Sequence, residues 1–178
     1  MKNILLRNFR INGLNLVNFI NLSAKEVEEV RTLRNHPAVR KWMYDGSLIN
    51  KRNHACFIRD LRESRSDYYW LAKNDSGRYI GVIYLKRLNR KNKNAFLGIY
   101  VNMYKKSPGS GTQLVESIKK IAFEAAKLHT LKLEVLKDNF TAISFYKKSG
   151  FKKEGELKEF VFKADRWTDV IIMGMKKR

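Results

Sequence analysis

Three apolar segments in the middle of the chain constrain the fold most, because only short polar turns separate them. All three are rich in the aromatic and β-branched residues that favour extended strands. The segments are YYWLAK (68–73), RYIGVIYLKRL (78–88) and AFLGIYV (95–101). The turn NDSG joins the first two, and NRKNKN precedes the third. The sequence therefore predicts an antiparallel meander.

Two helices are predicted before the meander. Ser23 and Glu26 have the spacing of a capping box, in which each side chain satisfies a backbone N–H at the helix start. The apolar residues of this helix share one face; they are Val27, Val30 and Leu33. Pro37 ends the helix. A second amphipathic helix is predicted over residues 52–64, with its apolar side formed by Ala55, Ile58 and Leu61.

Helices and strands alternate after the meander. A long helix is predicted over residues 111–128, and its apolar stripe is Leu114, Ile118, Ile121, Ala122, Ala125 and Leu128. The strand TLKLEV, a further helix and the strands KEFVFK and TDVIIMGMK complete the chain. We expect an α/β fold, a single domain over residues 1–178 with a central mixed sheet flanked by helices.

The net charge of +20 is the one extreme feature of the composition. It creates a positive field that attracts polyanions, which include nucleotide cofactors and nucleotide-sugars as well as nucleic acids. The basic residues are spread along the whole chain. The charge alone therefore identifies no partner.

Other features exclude several classes of protein. No apolar run is long enough to span a membrane, and Arg and Asn interrupt the apolar residues of the N-terminus, which argues against a signal peptide. Cys56 is the single cysteine, so we expect neither a disulfide framework nor a cysteine metal cluster. These features predict a cytoplasmic protein without a membrane partner.

A glycine-rich loop precedes the long helix. In NMYKKSPGSGTQL, Gly109 and Gly111 flank Ser110 where the helix begins, with Lys105 and Lys106 nearby. Glycine lets the backbone approach a ligand, and a helix N-terminus presents unpaired N–H groups, so the loop suits a pyrophosphate. It matches neither a Walker A loop nor a dinucleotide fingerprint. The alternative is a solvent-exposed Pro-Gly turn that only starts a helix.

The segment KDNFTAISFYKKSGF predicts a helix with two interpretations. The first is structural: Asp138 or Asn139 caps the helix, Gly150 ends it, and Phe151 packs on Tyr146 and Phe145. The second follows from the spacing of Asn139 and Tyr146, which share a helical face about 10 Å apart. In that case Tyr146 has a proton to deliver.

These motifs, in this order, resemble the GNAT superfamily of N-acetyltransferases. The loop KSPGSG (106–111) follows the family's phosphate motif Gln/Arg-x-x-Gly-x-Gly/Ala, except that Lys106 replaces Gln or Arg, and the Asn139–Tyr146 helix follows the next strand. The resemblance covers residues 68–175. It implies a mostly antiparallel sheet splayed between two parallel strands, with acetyl-CoA as co-substrate held between FLGIYV and LKLEV and with no metal.

The same resemblance implies roles for individual residues. Tyr146 would act as the general acid that protonates the departing coenzyme A thiolate. The implied acetyl-CoA contacts are Ile99, Val101, Lys106, Gly109, Ser110, Gly111, Thr112, Asn139 and Phe145.

Direct transfer also needs a base for the attacking amine. Glu134 is the first candidate, and the others are His54, Glu156 and Glu159, although a structural or solvated role suits each of them better. Cys56 lies in the apolar phase of its helix, so we expect no acetyl-cysteine intermediate.

A longer stretch resembles a narrower family, the PseH-type N-acetyltransferases of pseudaminic acid biosynthesis. It is carried by RNHPxxxxWMY, LGIYxN and IAFExxxLHxLxLEVxxxNFxAIxFY. The resemblance implies acetylation of the 4-amino group of UDP-4-amino-4,6-dideoxy-N-acetyl-β-L-altrosamine, whose product feeds the sugar that glycosylates flagellin. The implied acceptor contacts are Arg34, His54, Tyr100 and, near the diphosphate, Lys86 or Arg87. The segment RNHP has two interpretations of equal weight. It either contacts the acceptor, or it only forms a helix terminus that Asn35 and Pro37 hold.

Two other functions stay open. One is the same chemistry on a protein N-terminus or another small amine, and the other is a basic module that binds nucleic acid. The preferred hypothesis, an N-acetyltransferase of a UDP-amino sugar, predicts no nucleic-acid partner. It leaves the assembly state open, with a homodimer as one option.

Overall fold

The computed structural model describes residues 3–177, which form an eight-stranded sheet with helices on both faces. The strands are β1 (Phe9–Ile11), β2 (Leu14–Asn18), β3 (Tyr68–Asn74), β4 (Tyr79–Asn89), β5 (Asn94–Val101), β6 (Thr130–Leu136), β7 (Lys152–Lys163) and β8 (Arg166–Lys176). The helices are α1 (Ala24–Asn35), α2 (Pro37–Arg40), α3 (Lys51–Asp60), α4 (Ser110–Lys120) and α5 (Phe140–Lys148), with short 3-10 turns at Ile4–Leu6 and Phe19–Asn21.

The sheet is mixed, as the sequence predicted. Its strand order is β1-β2-β3-β4-β5-β6-β8-β7, and β5 with β6 is the one parallel pair among the described strands. The predicted meander is β3-β4-β5, and the NDSG turn joins β3 to β4. Two parallel strands need a long crossover connection, which usually contains a helix, and α4 lies in this one.

Both faces of the sheet are buried, because side chains alternate along each strand. On β3, Tyr68 and Trp70 belong to the core under α4 and α5, whereas Tyr69 and Leu71 belong to the core under α1 and α3. The central strands are therefore apolar on both sides.

The starts of the first helices follow the sequence signals. The Ser23 hydroxyl accepts a hydrogen bond from the Glu26 amide (3.3 Å), and the Glu26 carboxylate accepts one from the Ser23 amide (2.9 Å), so the predicted capping box is confirmed. Helix α1 ends at Asn35, and Pro37 is the first residue of α2. The apolar side predicted for α3 is partly wrong, since Ala55 is exposed and His54 takes the buried position.

Four elements differ from the sequence prediction. The helix predicted over residues 52–64 ends at Asp60. The helix predicted to continue to residue 128 is regular only to Lys120, and a π-helical turn (Ile121–Ala125) follows it. Strand β7 begins six residues before the predicted KEFVFK segment. The N-terminal hairpin of β1 and β2 was not predicted, although its turn residues Asn12 and Gly13, both with positive φ, are a typical hairpin signal.

Gly81 on β4 provides a test of how tightly the sheet packs against α4. A Cβ atom added there would collide with the Tyr100 carbonyl oxygen and lie 2.9 Å from the Leu114 side chain. Because backbone is in the way, we expect Gly81→Ala to lower the free energy of unfolding by about 3 kcal/mol. Gly155 on β7 is the control, since a Cβ there would meet nothing within 4 Å. Urea unfolding that gives equal stabilities for the two variants would contradict this packing.

Candidate functional site

The parallel strands β5 and β6 separate soon after they begin. They pair only through Asn94–Thr130, Ala95–Leu131 and Phe96–Lys132, yet β5 continues to Val101 and β6 to Leu136. Beyond the last pair, each strand is still bonded to its outer neighbour, β4 or β8. Backbone groups along the inner edges are therefore left for another partner. Ile99 and Val101, two predicted cofactor contacts, lie on this stretch of β5.

The glycine loop lies at the N-terminus of α4. Gly109 precedes the helix with φ 77°, a left-handed conformation that favours glycine. The amide groups of Gly111 and Thr112 donate to no backbone carbonyl in the described chain, as expected for the first turn of a helix. These free N–H groups and the helix dipole fit an anionic group. Ser110 is buried, while Lys106 is exposed.

Helix α5 packs directly against this loop. A Cβ added to Gly111 would lie 3.4 Å from the Phe145 ring, so the ring and the loop are in contact. The side-chain oxygen of Asn139 accepts a hydrogen bond from the Ala142 amide (3.2 Å), which makes Asn139 the cap of the helix. The predicted cofactor residues therefore lie in three adjoining elements: the inner edge of β5, the α4 loop and α5.

Tyr146 lies at the C-terminal end of α5 and is buried. The amide of Phe151 bonds to the Tyr146 carbonyl (3.0 Å) and that of Gly150 to the Lys147 carbonyl (3.0 Å), which is a Schellman motif. The Phe151 ring packs edge-on against Tyr146 at 5.8 Å. The structural interpretation of this segment is thus correct, and the contacts that carry it use the backbone and the ring of Tyr146, not its hydroxyl.

Burial, with a smaller contribution from Tyr84, raises the pKa of Tyr146 above its ordinary value. The phenol therefore keeps its proton at neutral pH. A general acid must hold a proton before it can donate one, and the phenol meets that requirement.

A cavity of about 650 Å³ opens on the opposite face of the sheet, beneath α1, α3 and the segment 41–49. All five residues predicted to contact the acceptor line it, and so does Glu134; the five are Arg34, His54, Lys86, Arg87 and Tyr100. Residues from α1, α3, β4, β5 and β6 thus meet in one place.

Two buried polar atoms in this cavity lack a partner. Arg34 donates from Nη2 to the Asp45 carbonyl (2.9 Å), but its Nη1 is buried without a hydrogen-bond partner among the described residues. His54 is only 3% exposed, and its Nδ1 is also unpaired within the described chain. Burial, followed by the positive charge of Arg31, lowers the pKa of His54. Unpaired buried polar groups are rare in native proteins, and a bound ligand is one explanation for them.

Glu134 is engaged on both oxygens. One accepts a hydrogen bond from Arg87 (2.6 Å) and the other from the hydroxyl of Tyr44 (3.1 Å). The Arg87 guanidinium also lies 3.7 Å from the centre of the Phe96 ring, and Arg87 has a positive φ of 52°. The arginine is therefore held between a carboxylate and an aromatic face at the rim of the cavity.

The other base candidates lie elsewhere. Glu156 accepts hydrogen bonds from Lys137, Lys153 and Lys158, which hold the pKa of its carboxyl far below the usual range. Neither Glu156 nor Glu159 lines the cavity. Of the four candidates for the base, Glu134 and His54 line the cavity.

Several residues of the cavity had no clear sequence signal. Tyr84 lines it, stacks on Tyr69 at 4.8 Å and fills the space that Gly98 leaves open on β5. Asn35, in contrast, makes two hydrogen bonds to the backbone of Ile49 (2.8 and 2.9 Å). Asn35 therefore anchors the segment over the cavity, in agreement with the structural alternative for RNHP.

The described chain contains no cluster of three His, Cys, Asp or Glu side chains that could hold a metal ion. Within residues 3–177, no helix combines the length and the apolar composition needed to cross a membrane.

Comparisons with known proteins identify the family of this chain. Residues 22–172 match the family model described as an acetyltransferase (GNAT) domain. The acetyltransferase PseH of Campylobacter jejuni is 34% identical over 149 residues, which is 84% of this chain and 91% of that protein.

Two solved structures are similar in fold. The crystal structure of Campylobacter jejuni N-acetyltransferase PseH has a TM-score of 0.72 and 26% identity, covering 93% of this chain and 99% of that one. The spermidine N-acetyltransferase of Vibrio cholerae, in complex with CoA and spermine, has a TM-score of 0.84 at 19% identity, covering 93% and 96%. At that identity, the second likeness concerns the fold alone.

Proposed function

This chain belongs to the acetyltransferase (GNAT) domain family, and we propose that it acetylates the 4-amino group of UDP-4-amino-4,6-dideoxy-N-acetyl-β-L-altrosamine in pseudaminic acid biosynthesis, for flagellin glycosylation. The chain is an N-acetyltransferase, and acetyl-CoA is its co-substrate. One observation carries the proposal for the acceptor: the five residues assigned to it by sequence resemblance line a single cavity.

The chemistry of that cavity supports an acceptor with oxygen-rich groups. The unpaired N–H group of Arg34 needs a hydrogen-bond acceptor, and the unpaired Nδ1 atom of His54 needs a hydrogen-bonding partner. A diphosphate and sugar hydroxyls supply them, whereas the ammonium groups of a polyamine are donors. Lys86 and Arg87 add cations that suit the diphosphate. The stacked rings of Tyr69 and Tyr84 offer apolar faces to the sugar and the base.

The opposite face fits acetyl-CoA. The Gly111 and Thr112 amides would hold its pyrophosphate, with Gly109, Ser110 and Lys106 around them. The inner edge of β5 at Ile99 and Val101, together with Asn139 and Phe145, would hold the pantetheine arm. When bound, acetyl-CoA supplies an acetyl group activated as a thioester.

Tyr146 holds the proton for the departing sulfur in this proposal. Its hydroxyl stays protonated because burial raises its pKa, and it lies on the helix that packs against the glycine loop. Transfer is direct, from acetyl-CoA to the amine in a ternary complex, so the chain needs no covalent intermediate.

We assign Glu134 the role of base for the amine, with His54 as the alternative. In the structure Arg87 and Tyr44 occupy both Glu134 oxygens. A diphosphate that binds Arg87 would compete with this ion pair and free one carboxylate oxygen to accept a proton, directly or through a water molecule.

We further propose a cytoplasmic location, one domain over residues 1–178, and a homodimer as an option for its assembly. Neither acetyl-CoA nor the UDP-4-amino sugar requires a membrane or a nucleic acid as partner.

A coupled assay of coenzyme A release tests the acceptor. The panel is the UDP-4-amino sugar, a peptide with a free N-terminus, and spermidine. We expect release with the UDP-sugar and at most slow release with the other two. No release with the UDP-sugar would overturn the proposed acceptor. Steep salt-dependent binding to DNA without turnover of any amine would favour the nucleic-acid module instead.

Replacing Tyr146 tests the general acid. We expect Tyr146→Phe, which keeps the ring and removes the proton, to lower kcat about 100-fold with little change in the KM for acetyl-CoA. Because its pKa is raised, the wild-type kcat should show no loss from phenol ionisation as the pH rises through about 10. Tyr79→Phe is the control, because the Tyr79 ring packs on the other face of the sheet from Tyr146 and does not line the cavity. A wild-type kcat for Tyr146→Phe would refute the assignment.

Two matched glycines test the pyrophosphate loop. Gly109 and Gly77 have φ values of 77° and 75°, and an added Cβ would meet nothing within 4 Å at either position. Both alanine variants should therefore lose about 1 kcal/mol of stability through backbone strain. Only Gly109→Ala should raise the KM for acetyl-CoA, by about tenfold, because only that loop would approach the pyrophosphate. Equal KM values for the two variants would contradict the proposed loop function.

A further inference from the structure

Lys163, at the end of β7, holds three backbone carbonyls of a distant segment. Its ammonium group donates to the carbonyl oxygens of Arg40 (3.0 Å), Lys41 (2.9 Å) and Met43 (2.6 Å). An ammonium has three N–H donors, so all of them are used. The bonds join residues separated by about 120 positions in the sequence.

These carbonyls belong to the end of α2 and to the turn after it. The last carbonyls of a helix have no partner within the helix, and a cation is favourable there. The same stretch forms one wall of the acceptor cavity through its side chains, which are Trp42, Met43, Tyr44 and Asp45. Lys163 itself does not line the cavity.

Strand β7 contacts this wall through apolar side chains as well. Trp42 packs against the cluster that contains Val161, and the Tyr44 ring lies 6.2 Å from the Phe160 ring. At its other end, the segment is tied to α1 by the two hydrogen bonds between Asn35 and Ile49. Lys163 is thus the polar anchor at the end of the segment that faces β7.

We propose that Lys163 is a positioning residue for the acceptor site. It fixes the backbone of residues 40–43 so that Met43 and Tyr44 keep their places in the cavity wall, and Tyr44 keeps its hydrogen bond to Glu134. This role rests on the proposed function, since it assumes that the acceptor occupies this cavity. It predicts an effect on acceptor binding that leaves the acetyl-CoA side unchanged, because the glycine loop lies on the other face of the sheet.

Three variants separate this role from a general effect on the fold. Lys163→Met keeps an unbranched side chain of similar length and removes the donors. Gly46→Ala keeps Lys163 and crowds it, since an added Cβ would lie 3.1 Å from Cε and Nζ of Lys163. Lys158→Met is the control on the same strand, because among residues 3–177 the Lys158 ammonium donates only to the carboxylates of Glu156 and Asp169.

Two measurements follow. The first is amide hydrogen exchange of the ligand-free protein, which reports on the wall without any substrate. We expect exchange at Trp42 and Met43 to increase at least tenfold in Lys163→Met and to stay unchanged in Lys158→Met. The second is steady-state kinetics with the UDP-4-amino sugar. We expect the KM for the sugar to rise about tenfold in Lys163→Met, less in Gly46→Ala, with the KM for acetyl-CoA within about twofold of wild type.

The outcomes are distinguishable. Unchanged exchange at Trp42 and Met43, or an equal rise in both KM values, would overturn the role of Lys163. If the wild-type protein does not acetylate the UDP-sugar, the proposed acceptor is wrong, and the exchange measurement alone decides whether Lys163 holds the wall.

Discussion

The early end of the β5–β6 pairing is the constraint on which the rest of the site depends. Two parallel strands that pair through only three residue pairs leave an opening inside an otherwise continuous sheet. The opening persists because β4 and β8 hold the outer edges of the two strands. Backbone groups buried without partners are costly, so such an opening fits a ligand that supplies the missing hydrogen bonds.

The opening also connects the two faces of the sheet. The glycine loop and Tyr146 belong to the side covered by α4 and α5, whereas the cavity proposed for the acceptor lies beneath α1 and α3. Tyr84 lines the cavity, and it also contributes, after burial, to the raised pKa of Tyr146 on the other side. Direct transfer requires two substrates to meet at one point, and this arrangement lets them approach from opposite faces.

Local signals in the sequence predicted local features correctly, such as the capping box of Ser23 and Glu26 and the end of α5 at Gly150. Family resemblance supplied residues that the fold then brought into one cavity. Features that depend on distant contacts could not be predicted. Nothing near Lys163 in the sequence indicates that its ammonium holds carbonyls 120 positions away. The hairpin at Asn12 and Gly13 had a local signal that the prediction missed.

The central claim is that both substrates are bound together when the acetyl group moves. Initial velocities measured while acetyl-CoA and the UDP-4-amino sugar are varied test it most directly. Double-reciprocal plots should intersect, because direct transfer needs a ternary complex. Parallel lines, together with an acetylated enzyme isolated after incubation with acetyl-CoA alone, would contradict the account.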